Sequence, residues 1–303
     1  MGFATLYPPY KYFGRSPNFS IIMTSIIFNQ LFFILILAGI PIHAMASNDY
    51  PWLKNYDSSH AIANRIAVPS GFERIPVLVN SFDDWLRHLP LKPGNPPIYL
   101  YNGRQKGNQS VHHAVIDIEV GNRDLQQCAD AVIRLRAEYL YSKGHYAAIL
   151  FNFTSGDEAS YLKWMKGYRP SVRGNQVKWY KTDSYDSSHQ TFRKYTETVF
   201  MYAGSYSLSQ ELKPVKDVND MKIGDVFIKG GFPGHAIIVV DMAINKTSGK
   251  KIFLLAQSYM PAQNVHILTN PSNDQLSPWY ELDFSDQLET PEWTFSREQL
   301  KRF

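Results

Sequence analysis

Residues 222–270 constrain the fold most tightly. Two apolar runs, His235-Ala-Ile-Ile-Val-Val-Asp-Met-Ala243 and Lys251-Ile-Phe-Leu-Leu-Ala-Gln-Ser258, flank the polar reversal Asn245-Lys-Thr-Ser-Gly249. Runs of branched and aromatic residues bounded by Asn, Ser and Gly form strands joined by a turn. The stretch therefore predicts a hairpin. A third strand over Asp225-Val-Phe-Ile-Lys229 and a glycine-rich turn, Gly230-Gly-Phe-Pro-Gly234, precede it. If Ile244 and Lys250 pair across the loop, Gln257 falls opposite Ile237. It then shares a face with His235, diagonally across and within reach of long side chains. A slip of one residue would undo that contact.

A long amphipathic helix is predicted upstream. Asp124 is the natural N-cap, Cys128 sits around the first turn, and Val132, Leu135 and Tyr139 follow it on the apolar stripe. Gly144 closes the helix. The positive end of a helix dipole favours thiolate, the form that attacks carbonyls. A histidine on a neighbouring sheet could hold the proton and orient the nucleophile. The same pattern suits an inert core cysteine, because free cysteine is among the most buried residue types. Cys128 is the only cysteine in 303 residues, so no internal disulfide explains it.

The other elements are shorter. A helix over Ser81–Leu89 is capped by Ser81, and strands are expected over 98–101, 113–120 and 146–153. Residues 157–167 and 188–207 read as helices, and 175–180 as a strand. The 31 basic and 27 acidic side chains form no basic run, so nothing suggests a nucleic-acid partner.

Residues 20–40 are apolar, Lys11 and Arg15 precede them, and Ala44-Met-Ala46 supplies small residues for signal peptidase. Residues 1–46, or 23–46 if Met23 is the start, are expected to be a signal peptide. That leaves 47–303 as a single α+β domain with its core at about 110–270 and no stable membrane span. An uncleaved N-terminal anchor is the alternative, since the run nearly reaches the ~20 residues that cross a bilayer. The expected location is periplasmic or extracellular.

Asp225-Val-Phe followed by Gly234-His235-Ala-Ile-Ile-Val-Val resembles the signature of NlpC-type and CHAP-type cell-wall amidases. The resemblance implies a papain-like fold, in which a helix bearing the cysteine packs on a mostly antiparallel sheet. It also implies roles: Cys128 as nucleophile, His235 as base and then acid, and Gln257 as the residue that orients the imidazole. The implied activity is a cysteine amidase or peptidase acting on a peptide or peptidoglycan-derived amide, with no cofactor and no metal. Over nearly the whole mature chain, Leu-Gln-Gln-Cys-Ala-Asp-Ala-Val and Leu-Leu-Ala-Gln-Ser-Tyr-Met-Pro-Ala-Gln resemble a secreted bacterial family known as the domain of unknown function DUF4846. A catalytically inactive papain-like binding domain and a structural envelope protein are the alternatives.

Weaker constellations complete the reading. His112-His113 with Asp117 offers metal-ligand chemistry, but adjacent strand residues point to opposite faces. Asn264 and His266 are the runners-up for orienting His235. Asp241 is expected to be a solvated strand end. Tyr259-Met-Pro261 and Ser277-Pro-Trp-Tyr280 either line a groove or cover the core.

Overall fold

In a computed structural model of the chain, residues 49–303 are described; the expected signal peptide lies outside them. The predicted hairpin is the centre of the sheet. His235–Ile244 pairs antiparallel with Lys251–Gln257, and the Asn245 amide donates to the Lys250 carbonyl at 2.8 Å to close the loop. The loop is thus tighter by one position than an Ile244–Lys250 pair requires, and Ile244 sits opposite Lys251. A β-bulge between Leu254 and Leu255 then shifts the ladder, so that Leu255 faces Val239 and Ala256 faces Ile238. Continuing the shifted ladder puts Gln257 opposite Ile237, the partner expected from the sequence. Without the bulge Gln257 would oppose Ile238 and point to the other face.

All pairings in this nine-stranded sheet are antiparallel. Its main path runs His112–Val115, His266–Leu268, Lys251–Gln257, His235–Ile244, Val226–Lys229, Leu300–Arg302 and Lys213–Pro214. The short strands Glu73–Arg74 and Tyr280–Glu281 add to the hairpin. The helix Cys128–Ser142 packs across His235–Ile244, burying Val132, Ile133, Leu135 and Leu140. Gly144, with φ at 68°, occupies the left-handed position just beyond the helix. The architecture is α+β, with a mostly antiparallel sheet. No helix among the described residues is long and apolar enough to cross a membrane.

Charged groups also lie inside. Arg134 and Glu138 are fully buried one helical turn apart and pair at 2.6 Å. Glu138 also meets His189 at 3.0 Å, which ties the cysteine helix to the helix His189–Tyr202. Asp241 corrects the expectation of a solvated strand end. Its side chain is 0% exposed and its two oxygens take Arg74 and Arg87 at 2.7 and 2.6 Å. Those arginines come from segments remote in sequence, so the strand alone could not reveal them.

Several local expectations change. The helix expected over 188–207 is two, His189–Tyr202 and Ser205–Glu211, because Gly204 breaks the run and its amide donates to Ser207 Oγ. Residues 98–101 form only isolated bridges, Tyr99 to Gln105 and Leu100 to Gln263. Residues 146–153 begin with a 3-10 turn, Tyr146–Ala148, before the strand Leu150–Asn152. The helix predicted within 157–167 shortens to Tyr161–Met165 behind the strand Glu158–Ser160, with Ser160 as its cap.

Candidate functional site

Cys128 is the first residue of its helix, one turn later than an Asp124 cap would require. Residues 124–127 are irregular, and the extended residue Gln127 precedes the helix with its amide donating to Asp130 at 3.1 Å. Asp124 instead braces a loop, for its Oδ1 accepts from the Ala262 amide at 2.7 Å and from Gln127 Nε2 at 3.0 Å. The Ser258 hydroxyl lies 3.0 Å from the Gln126 carbonyl and 2.9 Å from that of Gln263. The segment that delivers the cysteine is therefore tied to the loop that follows Gln257.

The backbone amides of Cys128, Ala129 and Ala236 lie around the thiol, and each favours thiolate. They do not prevail. Burial, reinforced by the nearby Asp130, pushes the Cys128 thiol up to about 11. The expected depression by the helix terminus is corrected accordingly, because the cost of desolvating a thiolate exceeds the gain from the amides. Asp130 is itself buried, its carboxyl held well above the usual range by that burial, and its Oδ1 has no hydrogen-bond partner.

His235 opens its strand and is 2% exposed. Its ring packs against Tyr259, Trp293 and Phe295, with centroids 4.8, 5.4 and 5.8 Å away. Its Nε2 lies 2.8 Å from Gln257 Oε1, so Nε2 carries the hydrogen and Nδ1 the lone pair. Burial pulls the ring down to about 4, opposed by the bond to Gln257. The Gln257 amide nitrogen in turn approaches Glu292 Oε2 at 2.8 Å and His266 Nε2 at 3.3 Å. Glu292 pairs with Lys106 at 2.6 Å.

Cys128 and His235 line one cavity of about 450 Å³. The thiol rests against the amide of Ala236, the residue next to His235. Among the described residues no hydrogen bond joins the sulfur to the ring. Phe200, Tyr259, Met260 and Trp293 supply apolar walls, and Phe232 stands 97% exposed at the rim. Asp124 and Asp130 are the charged residue types in the lining, and among the described residues no Lys or Arg lines it. A larger cavity, about 650 Å³, carries Glu281, Asp283, Asp286 and Glu289 but neither Cys nor His.

Three predicted residues thus share one neighbourhood; of the remaining candidates, His266 joins it through Gln257 and the others do not. His266 touches Gln257 rather than His235, while Asn264 Oδ1 accepts from the Tyr99 amide. The nitrogens of His112 meet the carbonyls of Gln109 and Pro96. No group of three or more potential metal-ligating side chains occurs among the described residues. Of the two aromatic loops, Tyr259 and Met260 line the cleft, whereas Trp279 and Tyr280 are core. Lys106, Phe232, Glu292 and Trp293 escaped the sequence reading. Phe232 lies in the glycine-rich turn just before His235, whereas Lys106, Glu292 and Trp293 lie on loops without motif or periodicity and only the tertiary fold brings them near His235.

No curated protein and no solved structure matches the chain. The family described as Domain of unknown function (4846) matches residues 62–302, and the chain belongs to that family.

Proposed function

We propose that this protein is a papain-like cysteine amidase or peptidase of the NlpC or CHAP type, exported to the periplasm or cell exterior. The observation that carries the reading is the placement of three groups. A cysteine at a helix start and a histidine at a strand start share one cleft, and a glutamine on the next strand accepts from His235 Nε2 at 2.8 Å. That bond leaves Nδ1 as the basic atom.

Both partners are neutral at rest, so proton transfer accompanies attack. As the Cys128 sulfur bonds to the amide carbon, its proton passes to His235 Nδ1 and the carbonyl electrons move to oxygen. The Cys128 amide, first in the helix and without an intrahelical acceptor, is a donor for that oxyanion. Collapse breaks the carbon–nitrogen bond, and the amine leaves with the proton from Nδ1. Water, deprotonated by the same nitrogen, cleaves the thioester to release acid and restore the thiol. The apolar walls, with no lining cation among the described residues, favour a neutral, apolar group beside the scissile bond, in a peptide or peptidoglycan-derived substrate.

A second reading has its own support. Burial that pushes the thiol up to about 11 suits an inactive papain-like domain that uses the aromatic cleft only to bind. Hydrolysis of muropeptides and of peptides with apolar acyl groups separates the two. Turnover that Cys128→Ala and His235→Ala each abolish without loss of fold supports the hydrolase. Binding in the cleft with no turnover overturns it.

A further inference from the structure

We infer that Glu292, assisted by His266, is a positioning residue: the two take both amide hydrogens of Gln257 and so fix which nitrogen of His235 carries the proton. The inference rests on the hydrolase reading for its purpose and on hydrogen-bond geometry for its substance.

The assignment is forced one group at a time. A carboxylate paired with Lys106 accepts hydrogen bonds and does not donate them, so Gln257 must turn its nitrogen toward Glu292. His266 places Nδ1 2.8 Å from the Asn264 carbonyl, another obligate acceptor. That nitrogen therefore bears the hydrogen, and His266 Nε2 presents a lone pair to Gln257 Nε2 at 3.3 Å. Both hydrogens of the glutamine amide are thereby placed, and its oxygen is left for His235 Nε2 at 2.8 Å. His235 must then be protonated at Nε2 and open at Nδ1.

A flipped amide would set the Gln257 oxygen against a carboxylate oxygen and a lone pair. It would also push the His235 proton onto Nδ1, the nitrogen that has to receive the thiol proton. Lys106 holds Glu292 in place at 2.6 Å, and its ammonium lies 5.1 Å from the centre of the Tyr259 ring that packs on His235. His235, Gln257 and His266 are buried and the Lys106 and Glu292 side chains are only 10% and 14% exposed, so an unmade bond is costly and one arrangement dominates.

The test reads the His235 tautomer directly, by long-range proton–nitrogen spectra of the full chain labelled with ¹⁵N-histidine. Signals are assigned by their loss in His235→Gln. The native protein at neutral pH should show His235 only in the Nε2–H form; the Nδ1–H form would overturn the inference. Glu292→Met frees Lys106 to draw the Gln257 oxygen toward itself, so an Nδ1–H population should appear. Adding Lys106→Met should return the ring to Nε2–H, as should Glu292→Asp in place of the methionine. Should Glu292→Met fail to fold, the isosteric Glu292→Gln replaces it. Beside Lys106 that side chain turns its oxygen to the ammonium and its NH₂ to Gln257, again giving mixed tautomers. An unchanged Nε2–H ring in folded Glu292→Met, or in folded Glu292→Gln where that replaces it, refutes the relay. If the tautomers respond as stated but no substrate is cleaved, the relay stands and the hydrolase reading falls.

Discussion

The neutral resting pair makes a quantitative prediction about thiol chemistry. With Cys128 pushed up to about 11 by burial and then by Asp130, very little thiolate exists near neutrality. At about pH 7.5 roughly 3 molecules in 10,000 carry it, against roughly a tenth of an unperturbed cysteine with pKa ~8.5, so iodoacetamide should label Cys128 about 300-fold more slowly. The rate should rise about tenfold per pH unit through alkaline pH, because thiolate is the reacting form. His235 is held uncharged near neutrality by its own burial, so His235→Ala should move this curve by less than about tenfold while removing the proposed amide hydrolysis. The assay is second-order labelling between pH 5 and 10, with Cys128 as the sole target and mass spectrometry as the readout. A flat, fast rate between pH 5 and 8 would refute the reasoning. It would mean that a thiolate–imidazolium pair already exists, and that the cleft favours charge more than burial disfavours it.

Three other outcomes are expected. Asp241→Asn should cost about 3–5 kcal/mol, because it leaves the largely buried Arg87 without its counter-charge; thermal melting should drop by roughly 6–20 °C, and a loss below about 1 kcal/mol would count against the buried triad. His266, pulled down to about 3 by burial, binds fewer protons folded than unfolded below its free pKa of ~6.5. Its contribution is complete above that value and falls by about 1.4 kcal/mol per unit as pH drops toward 3, so urea unfolding of His266→Gln should show a shallower acid slope than the native chain. Phe232→Ala, at a rim position 97% exposed, should leave stability within about 0.5 kcal/mol yet raise KM for apolar substrates; an unchanged KM would remove Phe232 from the binding surface.

Much of the scaffold was legible because its signals are local. The apolar runs around Asn245–Gly249 specify a hairpin whatever surrounds them, and the stripe from Cys128 to Tyr139 with Gly144 beyond it specifies a helix. Asp124 misled because capping preference is only a local propensity. In the fold that carboxylate is engaged by Ala262, 138 residues away, and Gln127 takes the boundary. The long run over 188–207 misled similarly, since periodicity persists across Gly204 although the backbone does not.

The sequence by itself determined the order of groups along the chain: a cysteine near a helix start, a histidine opening a strand, and a glutamine on the strand after it. Helical and strand periodicities place side chains over a few residues, and those relations survive any packing. The face on which Gln257 emerges was settled by a bulge between Leu254 and Leu255, whose one-residue shift restores a register that the tight loop had displaced. The charge state of Cys128 was likewise decided in three dimensions, because desolvation depends on everything packed around the sulfur and the helix dipole on its own turn alone. Glu292 reaches Gln257 from a remote hairpin turn, and no spacing rule links them. Hydrogen-bond polarity, and with it the proton on His235, exists only once those distant segments meet.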